Sequence, residues 1–86
     1  MTVYDIIYKL VGNVRVIIRD FKYPDIAEGS LTIRDGKAIK VNLDTITYNE
    51  AKNLEVARIE IVGSNMLYLY VYEDDYEWWL TYENIH

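Results

Sequence analysis

The residue types able to do chemistry are few, and most of them stand together near the end of the sequence. Glu73, Asp74 and Asp75, followed by Glu77, form a run of carboxylates, the groups that hard cations such as calcium or magnesium take as ligands. Such cations favour ligands spaced along a loop bent by glycine, and no glycine interrupts this run. A solvated acidic turn is therefore the expected reading, with Glu73, Asp74 and Asp75 the only metal candidates. The single histidine, His86, ends the sequence, where a solvated side chain is the ordinary outcome. Ser30 and Ser64 lack the local signature of an activated nucleophile. The glycines, Gly12, Gly29, Gly36 and Gly63, are isolated and make no phosphate-cradling loop. With no cysteine, disulfides, thiolate metal sites and cysteine nucleophiles are excluded. The expectation is a protein that is not an enzyme and carries no cofactor.

Binding is better supported than catalysis. Seven of the chain's twelve aromatic residues fall between residues 57 and 82: Tyr68, Tyr70, Tyr72, Tyr76, Trp78, Trp79 and Tyr82. Tyrosine and tryptophan are enriched among the residues that anchor protein interfaces. The net charge of −5 is uneven. Residues 1–72 hold nine acidic and nine basic side chains, whereas residues 73–86 hold Glu73, Asp74, Asp75, Glu77 and Glu83 with no Lys or Arg. Direct nucleic-acid binding needs a basic stripe to neutralise phosphates, and this segment offers the reverse. The expected partner surface is Tyr68, Tyr70, Tyr72, Glu73, Asp74, Asp75, Glu77, Trp78 and Trp79, facing a basic protein surface.

The elements that must position these residues read as strands. Residues 57–82 alternate with a period of two in β-branched and aromatic types, the pattern of a pleated surface, and divide into three antiparallel strands. If Gly63-Ser64-Asn65 is a three-residue loop, Ile61 faces Leu67, Ile59 faces Leu69 and Ala57 faces Val71, giving one aliphatic face. A two-residue loop would mix the faces. The opposite face then carries Met66, Tyr68, Tyr70 and Tyr72 beside Val56, Arg58 and Glu60. With Glu73-Asp74-Asp75 as the second loop, Tyr76, Trp78, Leu80 and Tyr82 join the tyrosine face; an even loop places Trp79 there instead. Another element of the same chain could equally cover that face.

Earlier in the chain, Val3, Ile6, Ile7, Leu10 and Val11 make one apolar stripe, predicting a helix over 2–12 with Thr2 as cap, Asp5 three residues on and Gly12 as the exit. Residues 14–22 predict a strand with Val14, Val16 and Ile18 on one side and Arg15, Ile17 and Arg19 on the other. Pro24 breaks it, a second strand follows over about 26–33, and Arg34-Asp35-Gly36 predicts a three-residue turn that keeps Ile39, Val41 and Leu43 on the Leu31 side. Residues 44–54 read as a crossover or one to two helical turns capped by Thr47 or Asn49. The expectation is one α+β domain over 1–86, an N-terminal helix packed on an antiparallel sheet of about five or six strands built from hairpins. No leader and no apolar run of about 18 residues is present, so no membrane partner and a cytoplasmic location are expected.

The opening, TVYDIIYKLVGNVRVIIRD over residues 2–20, resembles small uncharacterised proteins carried by phages and mobile elements of Gram-positive bacteria. The likeness covers that stretch and the general layout, and no motif of known chemistry lies in it. It implies a class in which short acidic proteins, anti-CRISPR inhibitors among them, block host nucleases or defence proteins in the bacterial cytoplasm. Joined to the charge pattern, this gives the expected function: an acidic protein-binding inhibitor that occupies the basic, nucleic-acid-binding surface of such a host protein. The alternative is a self-associating accessory module, a homodimer through the tyrosine face or an edge strand.

Overall fold

A computed structural model describes residues 1–25, 27–44 and 46–72. The described chain runs α1 (Val3–Ile7), β1 (Asn13–Asp20), β2 (Ala27–Arg34), β3 (Lys37–Leu43), α2 (Tyr48–Ala51), β4 (Glu55–Val62) and β5 (Met66–Tyr72). The expected strand over residues 76–82 and the turn before it lie outside the described residues.

The strands form one five-stranded sheet in the order β3-β2-β1-β5-β4. It is mixed, which corrects the expectation of a purely antiparallel sheet. β1 pairs β2 antiparallel and β5 parallel, with Val16 beside Leu67 and Ile18 beside Leu69. The cause is burial. Leu69 and Val71 of β5 are fully enclosed, whereas Ile59 and Ile61 of β4 are 45% and 76% exposed. The more apolar strand of the hairpin takes the interior place beside β1, and its partner is left at the edge.

Turn parity decides which residues share a face. Between β4 and β5 the Gly63-Ser64-Asn65 loop has the expected three residues, setting Ile61 opposite Leu67 and Ile59 opposite Leu69. An irregularity between Val56 and Arg58 then shifts the ladder, so Val56 pairs with Val71. That moves Val56 from the expected tyrosine face to the aliphatic one, because a bulge inserts one unpaired residue and inverts the alternation beyond it. The β2–β3 turn also differs from the expectation. Arg34 pairs with Lys37 around a two-residue Asp35-Gly36 turn, and a shift between Thr32 and Ile33 restores Leu31 to Val41. Asp35 and Gly36 both have positive φ, 47° and 82°, the geometry whose twist suits a two-residue hairpin.

Helix α1 is shorter than the periodicity suggests, whereas the single turn α2, capped by Thr47, is within the expectation for residues 44–54. In α1, Thr2 accepts from the Asp5 amide at 3.3 Å and the Asp5 carboxylate accepts from the Thr2 amide at 2.9 Å, a reciprocal cap that holds the Asp5 carboxyl below its usual pKa. The other end tightens early. Lys9 and Leu10 donate to Ile6 and Ile7, three residues back, and Gly12 is clamped by donating to Asp35 Oδ1 at 2.8 Å while its carbonyl accepts from the Asp35 amide at 3.0 Å. Fastened there, the chain cannot continue the helix, and Val11 is 86% exposed rather than part of the apolar stripe. α2 repeats the same cap with Thr47 and Glu50. The crossover of residues 44–54 brings Ile46, Tyr48, Ala51 and Leu54 into one cluster with Val3, Ile6, Ile7, Val16, Ile18, Leu31, Ile33, Leu69 and Val71.

Two stability outcomes follow from this packing. Leu69→Ala, fully enclosed, should cost about 3 kcal/mol, and the half-exposed Ile59→Ala about 1 kcal/mol, because only the former leaves a cavity. Urea melts giving equal losses would contradict the edge position of β4. At Gly36 an added Cβ would sit 2.6 Å from the Tyr8 carbonyl oxygen at φ 82°. Gly36→Ala should therefore lose at least about 1 to 2 kcal/mol from backbone conformation alone, and a melting temperature equal to that of the parent would refute the tight turn.

Candidate functional site

With the aliphatic side of the sheet covered, the other side carries the residues whose registers place them opposite: Arg15, Ile17 and Arg19 of β1, Ser30, Thr32 and Arg34 of β2, Lys37, Lys40 and Asn42 of β3, Arg58 and Glu60 of β4, and Met66, Tyr68, Tyr70 and Tyr72 of β5. The expected tyrosines therefore share one face. Its charge is the unexpected part, since six of the chain's nine Lys and Arg residues stand on it against Glu60 and, at the start of β4, Glu55.

Two substructures make up this face. On β5, Arg19 lies over the Tyr68 ring at 4.6 Å and Arg58 over the Tyr70 ring at 4.9 Å, within the range where a guanidinium is held by a ring quadrupole. Arg19 also donates Nη1 to the Pro24 carbonyl at 2.8 Å, while its Nε is buried and has no acceptor among the described residues. Arg58 additionally meets Glu60 at 3.2 Å in an exposed pair, an arrangement that contributes little energy. Tyr72 is exposed and its ring packs edge-on against Phe21 at 5.2 Å.

Across β1, β2 and β3 lies a shallow concavity of about 240 Å³ lined by Arg15, Ser30, Thr32, Lys40 and Asn42. Register brings them together: Arg15 stands beside Thr32, Thr32 beside Lys40, and Ser30 beside Asn42. Residues scattered over 28 positions of sequence thus meet because three strands align. Two cationic groups, two hydroxyls and an amide converge, and no hydrogen bond or ion pair joins these side chains to another described residue. Such a set offers donors to an oxyanion.

Glu73, Asp74, Asp75, Glu77, Trp78, Trp79 and His86 lie outside the described residues. Among the described residues no group of three or more His, Cys, Asp and Glu side chains converges as a metal site, and no helix is long and apolar enough to cross a membrane. Sequence reasoning passed over Arg15, Ser30, Thr32, Lys40 and Asn42. The available signal was their parity, since each is followed along its own strand by an apolar residue. Neither the family models, nor the curated proteins, nor the solved structures contain a match to this chain.

The residues of the concavity, without a side-chain partner among the described residues, should be expendable for folding. Arg15→Ala and Lys40→Ala should each change stability by no more than about 0.5 kcal/mol. Arg19→Ala, which loses a ring stack and a hydrogen bond, should cost about 1 kcal/mol. Denaturant midpoints for the three variants check the division, and a large loss at Arg15 or Lys40 would mark the concavity as structural.

Proposed function

We propose that this protein is a non-catalytic binding module whose open sheet face receives an acidic protein segment. The observation that carries the reading is the cluster of Arg15 and Lys40 with Ser30, Thr32 and Asn42, which has no partner among the described residues, next to the arginine-capped tyrosines. The cations supply long-range attraction and the hydroxyls and amide supply directed donors, while Tyr68 and Tyr70 give a flat apolar floor. Because both rings already lie against guanidinium groups, the face favours carboxylates and side-chain packing over the free aromatic surfaces on which nucleobases stack.

A second reading keeps the acidic inhibitor. It places recognition on residues 73–86, which hold the entire net charge of −5 together with both tryptophans, and gives them a basic surface of a host protein such as a nuclease. Under that reading Glu73, Asp74 and Asp75 control association rate.

Poly-glutamate is a suitable probe of the first reading. Arg15→Glu combined with Lys40→Glu should weaken its binding about tenfold or more, equivalent to about 1.4 kcal/mol, and flatten its salt dependence. NMR amide shifts on titration should centre on Arg15, Thr32, Lys40 and Asn42. Shifts confined to other parts of the chain, or affinity unchanged in the double variant, would overturn the assignment.

A further inference from the structure

We infer that the concavity of β1, β2 and β3 is a phosphoryl site, and that the acidic segment received by the sheet face presents a phosphorylated side chain there. The inference rests on the binding-face reading and names the group that the face recognises.

The arrangement of donors is the first argument. Register lays the lining residues in two rows across the strands: Arg15, Thr32 and Lys40 in one, Ser30 and Asn42 beside Ile17 in the next. Neighbouring strands lie about 4.8 Å apart, so the two cations flank Thr32 from opposite sides with their backbones about 10 Å from each other. Neither row contains an Asp or Glu on these three strands, and an anion above Thr32 relieves the repulsion between the two cations. Carboxylates of the bound segment are attracted to the face at large, but one carboxylate leaves most of this set idle. It presents two oxygens in a plane, and the fork of a single guanidinium satisfies both. A phosphoryl monoester has three terminal oxygens in a tetrahedral array and carries about −1.5 to −2 charge at pH 7. Its charge matches Arg15 with Lys40, and its oxygens call for donors from several directions, which the hydroxyls and the amide supply.

The second argument separates a monoester from a nucleic-acid backbone. Of the six cations on the face, Arg19 and Arg58 lie over tyrosine rings and Arg34 donates to Asn13 Oδ1 at 3.1 Å. Arg15 and Lys40 line the concavity, and Lys37 stands apart at the Asp35-Gly36 turn. A nucleic-acid strand repeats its charge at every phosphate and is met by a stripe of cations. Two cations around one hollow answer to a single dianion.

The surroundings supply the third argument. Across β1 the same two rows continue to Met66 and Tyr68 of β5, which stand beside Arg15 and Ile17. A polar hollow of about 240 Å³ thus adjoins an apolar strip, Ile17, Met66 and Tyr68. Free small molecules are held in clefts that bury most of their surface. A shallow hollow beside an apolar strip suits instead the end of a side chain whose neighbours along a peptide pack on the strip.

The test is a set of short glycine–alanine peptides with phosphoserine, glutamate or serine at the centre, each titrated into the full chain while amide NMR shifts are followed. The phosphoserine peptide should shift the amides of Arg15, Ser30, Thr32, Lys40 and Asn42 and bind at least about tenfold more tightly than the glutamate peptide. Arg15→Ala and Lys40→Ala should each weaken it about tenfold, and Lys37→Ala less than about twofold. Ser30→Ala combined with Thr32→Val leaves every charge in place, and should weaken the phosphoserine peptide about fivefold while changing the glutamate peptide little. The amide spectra show whether each variant is folded. Competition on the unaltered chain needs no variant: inorganic phosphate should reverse the phosphoserine shifts at an ionic strength where NaCl leaves them. Equal affinity for the phosphoserine and glutamate peptides, with shifts centred on the hollow, overturns the phosphoryl site and leaves the acidic-segment reading standing. Inorganic phosphate bound as tightly as the phosphoserine peptide overturns the side-chain source, and an oligothymidylate bound more tightly than that peptide overturns the choice of a protein partner. Absence of shifts at the hollow with every peptide and with poly-glutamate removes the acidic-segment reading itself.

Discussion

The pairing of β1 with β5 is the constraint on which the remainder of the structure depends. Each hairpin alone, β2 with β3 and β4 with β5, is a two-stranded ribbon with one aliphatic face, and such ribbons are marginal in water. Joined through the register Arg15 to Met66 through Asp20 to Val71, their aliphatic faces become a single surface, and Val16, Ile18, Leu31, Ile33, Leu69 and Val71 are fully buried beneath the helices and the crossover. The same alignment fixes the opposite face. Once Val16 and Ile18 point inward, Arg15 and Arg19 have no other direction to take, and the cations of four strands are collected on one side.

Local features were legible in the sequence because their causes are local. Thr2 with Asp5 announced a helix start, and the Gly63-Ser64-Asn65 loop was fixed by the demand that Ile59 and Ile61 share a face with Leu67 and Leu69. What the pattern could not show was non-local. Nothing in β5 itself says that its neighbour is β1, 51 residues earlier and parallel; that choice follows from which strand of the last hairpin has more apolar surface to bury. Bulges were invisible for a similar reason, since the shifts at Val56 and at Ile33 answer to the partner strand. The early end of α1 depends on Asp35 gripping Gly12, a contact between segments 23 residues apart.

The charge of the candidate face illustrates the same limit. Counted along the chain, residues 1–72 are neutral and offer no net electrostatic signal. Counted across the sheet they are polarised. Asp and Glu are suited to caps and turns, where their oxygens accept otherwise orphaned backbone amides, and this chain uses Asp5, Asp20, Asp35 and Glu50 that way. Arg and Lys have long stems that can cover a pleated surface. Sorting by side-chain chemistry at turns and strands therefore produces a basic face from a balanced composition.

Edge protection accounts for part of that basic character and bears on self-association. Among the described residues strands β3 and β4 terminate the sheet with exposed Ile39, Val41, Ile59 and Ile61, an arrangement open to strand pairing between molecules. Both edges carry the devices that oppose it: Lys37 and Lys40 with a register shift on β3, Arg58 and Glu60 with a register shift on β4. Lys40 thereby belongs to two arguments, guarding an edge and lining the concavity. Arg15, on the central strand, belongs only to the second. A cation in the middle of a sheet face, without a partner among the described residues, has no edge to protect, and its direction follows from the inward-facing Val14 and Val16 of the same strand.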